Sequence, residues 1–311
     1  MLTVPSEHSR TTRRKLANMT RPYPYSGVLS PRTGIARLRI VDDVMTHWWE
    51  FEGPAGSTTI VMIHGYRGDH HGLHLFADAL PEFRVIIPDL PSFGLTESWP
   101  SGVTSIDDFG RWLRAFLVAS ETTDAVVLGH SFGSIVVANA LQGSHSAPII
   151  LVNPISQKAL SGPKRVLAAL GAAWYKLGGK LPERFGRAFL SWGVIVRIMS
   201  GLLAKTSDPQ LRRWIHEQHR LYFSRFSDRD SLIAGFTVST TSDVSDFARS
   251  VTAPVLLIAG AEDDITPVSA QQRVQALFFP NAELQVVEGV GHLMHYEKPI
   301  ETAALIRQFL S

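Results

Sequence analysis

The sequence contains no cysteine among its 311 residues. This absence excludes thiol nucleophiles, cysteine-ligated zinc, iron–sulfur clusters and disulfide bonds, so any nucleophile must be an oxygen or a nitrogen atom. Long apolar runs are also missing, because no stretch reaches the about 18 apolar residues that a membrane-spanning helix needs. The first 27 residues lack an apolar segment behind their basic residues, unlike a secretory signal. We therefore expect a cytoplasmic protein that does not span a membrane.

The chain also lacks an excess of charge of one sign, with 30 basic and 28 acidic residues, yet the two signs are segregated. Residues 1–40 hold eight basic residues and one acidic residue, and residues 155–225 hold thirteen basic and three acidic residues. Such basic stretches predict peripheral contact with an anionic membrane, and a solvated basic surface is the alternative. They carry no zinc-finger spacing and no RNA-binding aromatic signature, so we expect no nucleic-acid partner.

Short apolar segments with strand-forming residues alternate with helical patterns from residue 36 onward. After a predicted hairpin, the predicted buried strands cover 58–64, 83–90, 124–130, 147–153, 253–260 and 282–289. The predicted helices lie near 73–80, 105–120, 132–142, 268–278 and 299–310. Continuous apolar runs suit parallel strands that are covered on both faces. The alternation predicts an α/β fold with a mostly parallel, doubly wound sheet.

About 100 residues separate the strand that ends at Asn153 from the next predicted strand, and they hold long helical patterns punctuated by glycine and proline. We predict a helical cap at this position. The predicted division is a basic N-terminal extension over 1–35, an α/β core over 36–154 and 246–311, and the inserted cap over 155–245.

Within the predicted cap, the segment 189–204 is nearly apolar but carries Arg197, and it is too short to span a bilayer. It either packs between cap and core or offers a lipophilic face to a ligand or a membrane. Trp192, Ile195 and Met199 are spaced three and four residues apart, which predicts one helical face. This face contacts either substrate or the core.

The strongest local motif is Gly129-His130-Ser131-Phe132-Gly133, between a predicted strand and a predicted helix. G-x-S-x-G in this context forms a sharp turn that presents a nucleophilic serine. A serine needs a base, and the base needs a carboxylate to hold its tautomer. Candidates follow the last two strands: Glu262, Asp263 and Asp264 after the first, and His292 after the second. The carboxyl ends of parallel strands share one edge, where active sites collect.

Together with His64-Gly65-Tyr66 and the turn Asp89-Leu90-Pro91-Ser92-Phe93-Gly94, these motifs resemble the α/β-hydrolase fold superfamily over roughly residues 36–311. Ser92 stands where the family turn usually has glycine. The family pattern G-x-x-D-x-x-x-P selects Asp263, with Asp264 and Glu262 as alternatives. The resemblance implies an oxyanion hole formed by the backbone N–H groups of Tyr66 and Phe132.

The other histidines are expected to have lesser roles. His295, three residues after His292, is interpreted as structural or pocket-lining, and His130 as structural because it should point away from the nucleophile. His70, His71 and His74 beside Asp69 suggest a metal cluster, but no second carboxylate is placed to complete it. We therefore expect these side chains to be solvated or at the pocket edge, with no metal bound.

These residues predict a serine hydrolase that cleaves a carboxylic ester with a lipophilic part through an acyl-enzyme on Ser131, without a cofactor. The resemblance implies an alternative, a C–C bond hydrolase or related lyase that acts on a ketone through the same residues. A non-catalytic binding protein of the same fold is a second alternative.

Overall fold

The computed structural model describes residues 23–103, 105–143, 145–158, 165–278 and 280–311. They form an eight-stranded sheet in the order β1-β2-β4-β3-β5-β6-β7-β8. The strands are β1 Ile35–Val41, β2 Val44–Phe51, β3 Thr59–Ile63, β4 Arg84–Pro88, β5 Val126–His130, β6 Ile149–Val152, β7 Val255–Gly260 and β8 Ala282–Val287. β1 and β2 form an antiparallel hairpin, β2 runs antiparallel to β4, and β3 to β8 are parallel. The predicted α/β fold is confirmed.

Helices cover both faces of the sheet, which explains why the central strands are apolar throughout. The helices are α1 His74–Ala79, α2 Ile106–Ala119, α3 Phe132–Ala140, α4 Arg165–Lys180, α5 Glu183–Leu190, α6 Gly193–Leu203, α7 Pro209–Tyr222, α8 Arg229–Thr241, α9 Val268–Phe278, α10 Met294–Glu297 and α11 Pro299–Leu310. One buried cluster joins Trp112 of α2 and Ile135 of α3 to one sheet face. A second cluster joins Phe76 of α1 and Ile306 of α11 to the other face.

Five helices, α4 to α8, lie in the interval between β6 and β7, and we call them the inserted helices. They fall within the predicted cap 155–245, of which residues 159–164 lie outside the described residues. Asp208 and Asp228 cap the first turns of α7 and α8 by accepting from backbone N–H groups. The inserted helices therefore have their own start signals.

The apolar segment predicted as one helix around 189–204 is two helices in the structure. α5 ends at Leu190, and Trp192 has extended backbone angles before α6 begins. By length and composition alone, the stretch Glu183–Leu203 is apolar enough to cross a membrane. Of the 18-residue stretch on which this rests, 22% is buried inside the protein. The intervening turn leaves helices of 8 and 11 residues, each shorter than a bilayer requires.

The described part of the predicted basic extension packs on the core. The Tyr23 hydroxyl donates to Asp78 at 2.7 Å, and the Arg32 guanidinium donates to the carbonyls of Ala77 at 2.7 Å and of Phe83 at 3.1 Å. Residues 1–22 of that extension lie outside the described residues. Arg32 is thus used to bind carbonyl oxygens at the edge of the core.

Candidate active site

Ser131 lies in the sharp turn that joins β5 to α3. Its backbone angles are φ 53° and ψ −120°, a region that is strained for a residue with a side chain. A Cβ atom on Gly129 would lie 2.6 Å from the carbonyl oxygen of Gly133, and one on Gly133 would lie 2.3 Å from that of Ile63. Gly129 is therefore required for β5 to pack against the first turn of α3, and Gly133 is required for α3 to pack against the end of β3.

The structure brings Ser131, His292 and Asp263 into one hydrogen-bonded chain. His292 Nε2 lies 2.8 Å from Ser131 Oγ, and His292 Nδ1 lies 2.8 Å from Asp263 Oδ2. Burial of Asp263 opposes its ionisation, but His292 and the donors from Ile265 and Thr266 outweigh burial and lower the pKa of the carboxyl. The ionised carboxylate holds a proton on His292 Nδ1, which leaves Nε2 to accept from the serine hydroxyl.

The rival carboxylates have other surroundings. Asp264 Oδ2 lies 2.6 Å from Lys205 Nζ, and its side chain is 49% exposed. Glu262 is exposed and takes no part in the chain from His292 to Ser131. Because the turn after β7 points only Asp263 at the histidine, the acid that the resemblance selects is also the one in contact with it.

Two backbone N–H groups are candidates for the oxyanion hole. Phe132 is the first residue of α3, so its N–H has no acceptor within the helix. Tyr66 follows β3, and a Cβ on the preceding Gly65 would lie 3.2 Å from Ser131 Cβ, which places this loop directly beside the nucleophile. The Tyr66 hydroxyl donates to the Leu232 carbonyl of α8 at 2.7 Å. This side chain anchors the loop.

Arg67 is a buried residue that the sequence interpretation missed, and it joins the loop after β3 to the inserted helices. Its guanidinium donates to the carbonyls of Leu190 at 2.9 Å and Phe223 at 3.2 Å, and to the Tyr175 hydroxyl at 3.1 Å. Its φ of 63° is the left-handed region. Its place beside His64-Gly65-Tyr66 was the signal that could have identified it.

Asn153 is a second missed residue, at the end of β6. Its side-chain amide donates to the carbonyls of Gly291 at 3.0 Å and His292 at 3.1 Å, and its amide oxygen accepts from Gly260 N–H at 2.7 Å. It is fully buried and has φ 44°. A polar residue at the carboxyl end of a buried strand is the pattern that could have indicated it.

His130 does not point away from the nucleophile, so that prediction is wrong. His130 Nε2 lies 3.1 Å from the carbonyl oxygen of His292 and 3.2 Å from His295 Nδ1. Burial, reinforced by the nearby His292, lowers the pKa of His130 to about 3, so the ring is neutral. The histidine loop closes over the end of β5 and brings these rings together.

Among the histidines that follow the loop after β3, His70 is placed differently from the expectation. His70 is buried rather than solvated, because the Trp49 ring stacks on it with centroids 3.2 Å apart. Asp89 supplies the second carboxylate that the sequence interpretation lacked, 2.8 Å from His70 Nδ1. Ligand atoms of Asp69, His70 and His71 lie within 4.8 Å of one another. The Nδ1 atoms of both histidines already contact carboxylates, so this group can stabilise itself without a cation.

A cavity of about 170 Å³ opens at Ser131 and His292. Its apolar wall is formed by Met199, Leu203, Ile265 and Leu293. Its polar wall is formed by Asp69, Gln218, His219, Tyr222, His295 and Tyr296. Of the three residues predicted to share a helical face, Met199 lines the cavity, whereas Trp192 and Ile195 lie outside its walls. Trp192 precedes α6 and is 53% exposed.

Comparisons with known proteins identify relatives with a similar sequence or fold. The chain is 35% identical over 261 residues to a putative carbamate hydrolase of Pseudomonas syringae pv. syringae, covering 83% of this chain and 95% of that protein. It is 23% identical to a 2-hydroxy-6-oxononadienedioate/2-hydroxy-6-oxononatrienedioate hydrolase of Cupriavidus pinatubonensis, covering 82% and 88% of the two chains. An esterase from Exiguobacterium antarcticum has the same fold, with TM-score 0.72 and 16% identity over 90% of this chain and all of that one.

A sequence model of the alpha/beta hydrolase family matches residues 60–305, which include the serine turn, the acid and the histidine loop. The match covers most of the chain, and the mostly parallel sheet is the one that the resemblance implies. The chain belongs to the alpha/beta hydrolase family.

Proposed function

We propose that this hydrolase cleaves a carboxylic ester with a lipophilic part through an acyl-enzyme on Ser131. The observation that carries the proposal is the pair of 2.8 Å contacts that His292 makes, to Ser131 Oγ on one side and to Asp263 Oδ2 on the other. His292 Nε2 takes the hydroxyl proton while Ser131 Oγ attacks the carbonyl carbon. Asp263 stabilises the imidazolium that forms.

The backbone N–H groups of Tyr66 and Phe132 stabilise the negative charge that develops on the carbonyl oxygen by donating hydrogen bonds to it. When the tetrahedral intermediate collapses, the ester C–O bond breaks and His292 returns its proton to the departing alcohol. Water, activated by the same histidine, then attacks the acyl carbon and releases the carboxylic acid and free Ser131.

The apolar wall of the cavity supports the proposal that the substrate has a lipophilic part. Met199 and Leu203 belong to α6, whose outer face exposes Val194, Ile198 and Leu202. A cavity of about 170 Å³ is small, since an engineered cavity of about 150 Å³ accommodates benzene. A compact reacting group therefore fits inside, and a longer apolar chain would leave along α6.

The alternative reaction on the same residues is hydrolysis of a C–C bond, the chemistry named for the relative from Cupriavidus pinatubonensis. A panel of p-nitrophenyl esters of graded chain length, run beside a vinylogous diketone, separates the two. Turnover of the esters with kcat/KM at least tenfold above that of the diketone supports ester cleavage, and the reverse order contradicts it. A fluorophosphonate probe that labels the native chain but not Ser131→Ala distinguishes either enzyme from a non-catalytic binding protein.

We also propose that α5 and α6 contact an anionic membrane surface peripherally. Trp192, Val194 and Ile198 are each more than half exposed on or beside α6. Arg184, Arg187 and Arg197 are exposed on the same two helices, against one acidic residue, Glu183. Exposed apolar side chains flanked by arginines are typical of helices that lie in a lipid interface.

A further inference from the structure

Two polar atoms on the walls of the cavity are buried without a hydrogen-bond partner. They are Asp69 Oδ2 and Gln218 Nε2, in side chains whose residues are 1% and 4% exposed. Burying a polar atom unpaired is costly, so such atoms in a binding cavity indicate a ligand that pairs with them. Neither atom takes part in the contacts among Ser131, His292 and Asp263.

The two atoms belong to the same end of the cavity. Gln218 and Tyr222 lie one turn apart on α7 and therefore share a face. The Tyr222 ring stacks on His71 with centroids 3.7 Å apart, and Asp69 caps the short helical turn that contains His71. This packing brings the Gln218 face of α7 to the turn that begins at Asp69.

The charge at this end favours a neutral partner. Asp69 Oδ1 accepts from the N–H and from Nδ1 of His71, and Arg225 Nη1 lies 4.0 Å from Asp69 Oδ2. Burial disfavours the ionised form, but His71, His70 and Arg225 outweigh it and lower the pKa of Asp69. The carboxylate is therefore ionised and its charge is offset by Arg225, whose distance leaves the Oδ2 lone pairs available. A hydroxyl group, which both donates and accepts, matches an available acceptor beside an available donor.

We propose that Asp69 and Gln218 form a subsite for a free hydroxyl group of the substrate. Asp69 Oδ2 accepts the hydroxyl proton, and Gln218 Nε2 donates to the hydroxyl oxygen. The inference rests on the proposed ester hydrolysis and narrows its substrate class. The substrate is a compact amphiphilic ester, with a hydroxyl near Asp69 and an apolar group near Met199 and Leu203.

Matched pairs of esters test the subsite. Glycerol 1-monobutyrate is compared with propyl butyrate, where the hydroxyls are on the alcohol side, and ethyl 3-hydroxybutyrate with ethyl butyrate, where the hydroxyl is on the acyl side. A hydrogen bond to a charged group contributes about tenfold or more. We expect kcat/KM at least tenfold higher for the hydroxylated member of one pair, and that pair identifies the side of the ester that carries the hydroxyl.

Two variants connect the preference to these residues. Asp69→Asn keeps the oxygen that caps the His71 turn and removes the acceptor at the Oδ2 position, and Gln218→Met removes the donor with little change in shape. Each should lower the ratio of kcat/KM between the hydroxylated and hydroxyl-free esters at least fivefold. Gln210→Met, an exposed position on α7, is the control and should leave the ratio as in the native chain.

A ratio near one for both ester pairs in the native chain overturns the subsite, as does a variant that slows both members of a pair equally. If Asp69→Asn does not fold, Gln218→Met alone decides. Failure of the proposed function looks different, because no ester in either pair would be hydrolysed and Ser131 would not react with a fluorophosphonate.

Discussion

The side-chain amide of Asn153 donates to the backbone carbonyl of His292 at 3.1 Å. Through its amide oxygen the same side chain accepts from Gly260, three residues before Asp263, at 2.7 Å. Asn153 thus joins the loop that carries the base to the strand that leads to the acid. The distance between His292 and Asp263 depends on a residue that touches neither of their reacting atoms.

Asn153→Gly should lower kcat for a p-nitrophenyl ester about tenfold or more and leave KM within about threefold. Glycine tolerates the φ of 44° at this position. The loss of kcat would therefore be caused by removal of the side-chain amide and not by backbone strain. Asp43→Gly, at an exposed turn residue with φ 63°, is the control. An equal loss in both variants would show a general backbone effect and contradict the positioning role.

Asp263→Asn should lower kcat about 10⁴-fold, because the histidine then loses the partner that fixes its tautomer. Ser131→Ala and His292→Ala should each cost about 10⁶-fold. Asp264→Asn removes an exposed ion pair with Lys205 and should change kcat less than threefold. The measurement is burst and steady-state release of p-nitrophenol. A larger loss of kcat from Asp264→Asn than from Asp263→Asn would show that Asp264, and not Asp263, is the acidic partner of His292.

The free energy of unfolding should fall as the pH drops below about 6.5. Burial lowers the pKa of His130 and of His219 to about 3, so both rings stay neutral in the folded protein while the unfolded chain takes up protons. Each histidine then contributes a loss of about 1.4 kcal/mol per pH unit between about pH 6 and pH 4.

Urea unfolding at pH 7, 6 and 5 measures this slope. His219→Gln should reduce this slope by about one residue's share. Gln210→Met, at an exposed position of α7, removes no titrating group and should leave the slope as in the native chain. An identical slope in the native chain and in His219→Gln would contradict the prediction.

Sedimentation with vesicles should show binding to anionic lipid that exceeds binding to neutral lipid and decreases at 0.5 M salt, because salt screens arginine–headgroup attraction. Val194→Ser combined with Ile198→Ser should weaken binding about tenfold, since both side chains are more than half exposed on α6. Val118→Ser, 66% exposed on α2, is the matched control. Equal sedimentation on both lipids, or none on either, would contradict the membrane proposal.

The sequence by itself predicted the strands, most of the helices of the core and the order of the site residues along the chain. Buried parallel strands are continuous apolar runs, so β3 to β7 are readable from local pattern. The strained turn at Ser131 is equally local, because the glycines on either side of it are required by contacts with the adjacent strand and helix. The break between α5 and α6 was missed because most of the residues on either side of it are apolar.

Tertiary structure decided what local pattern does not encode. Asp263 and Asp264 are adjacent residues with the same side chain. Only the backbone path of the turn after β7 places Asp263 against His292 and Asp264 against Lys205. Asn153 and Arg67 join segments distant in sequence, so their hydrogen bonds exist only after the sheet has formed and the inserted helices have packed on it. The same packing brings Asp69 and Gln218 to the walls of one cavity. Hydrogen bonds between distant segments depend on three-dimensional proximity, which residue spacing alone does not specify.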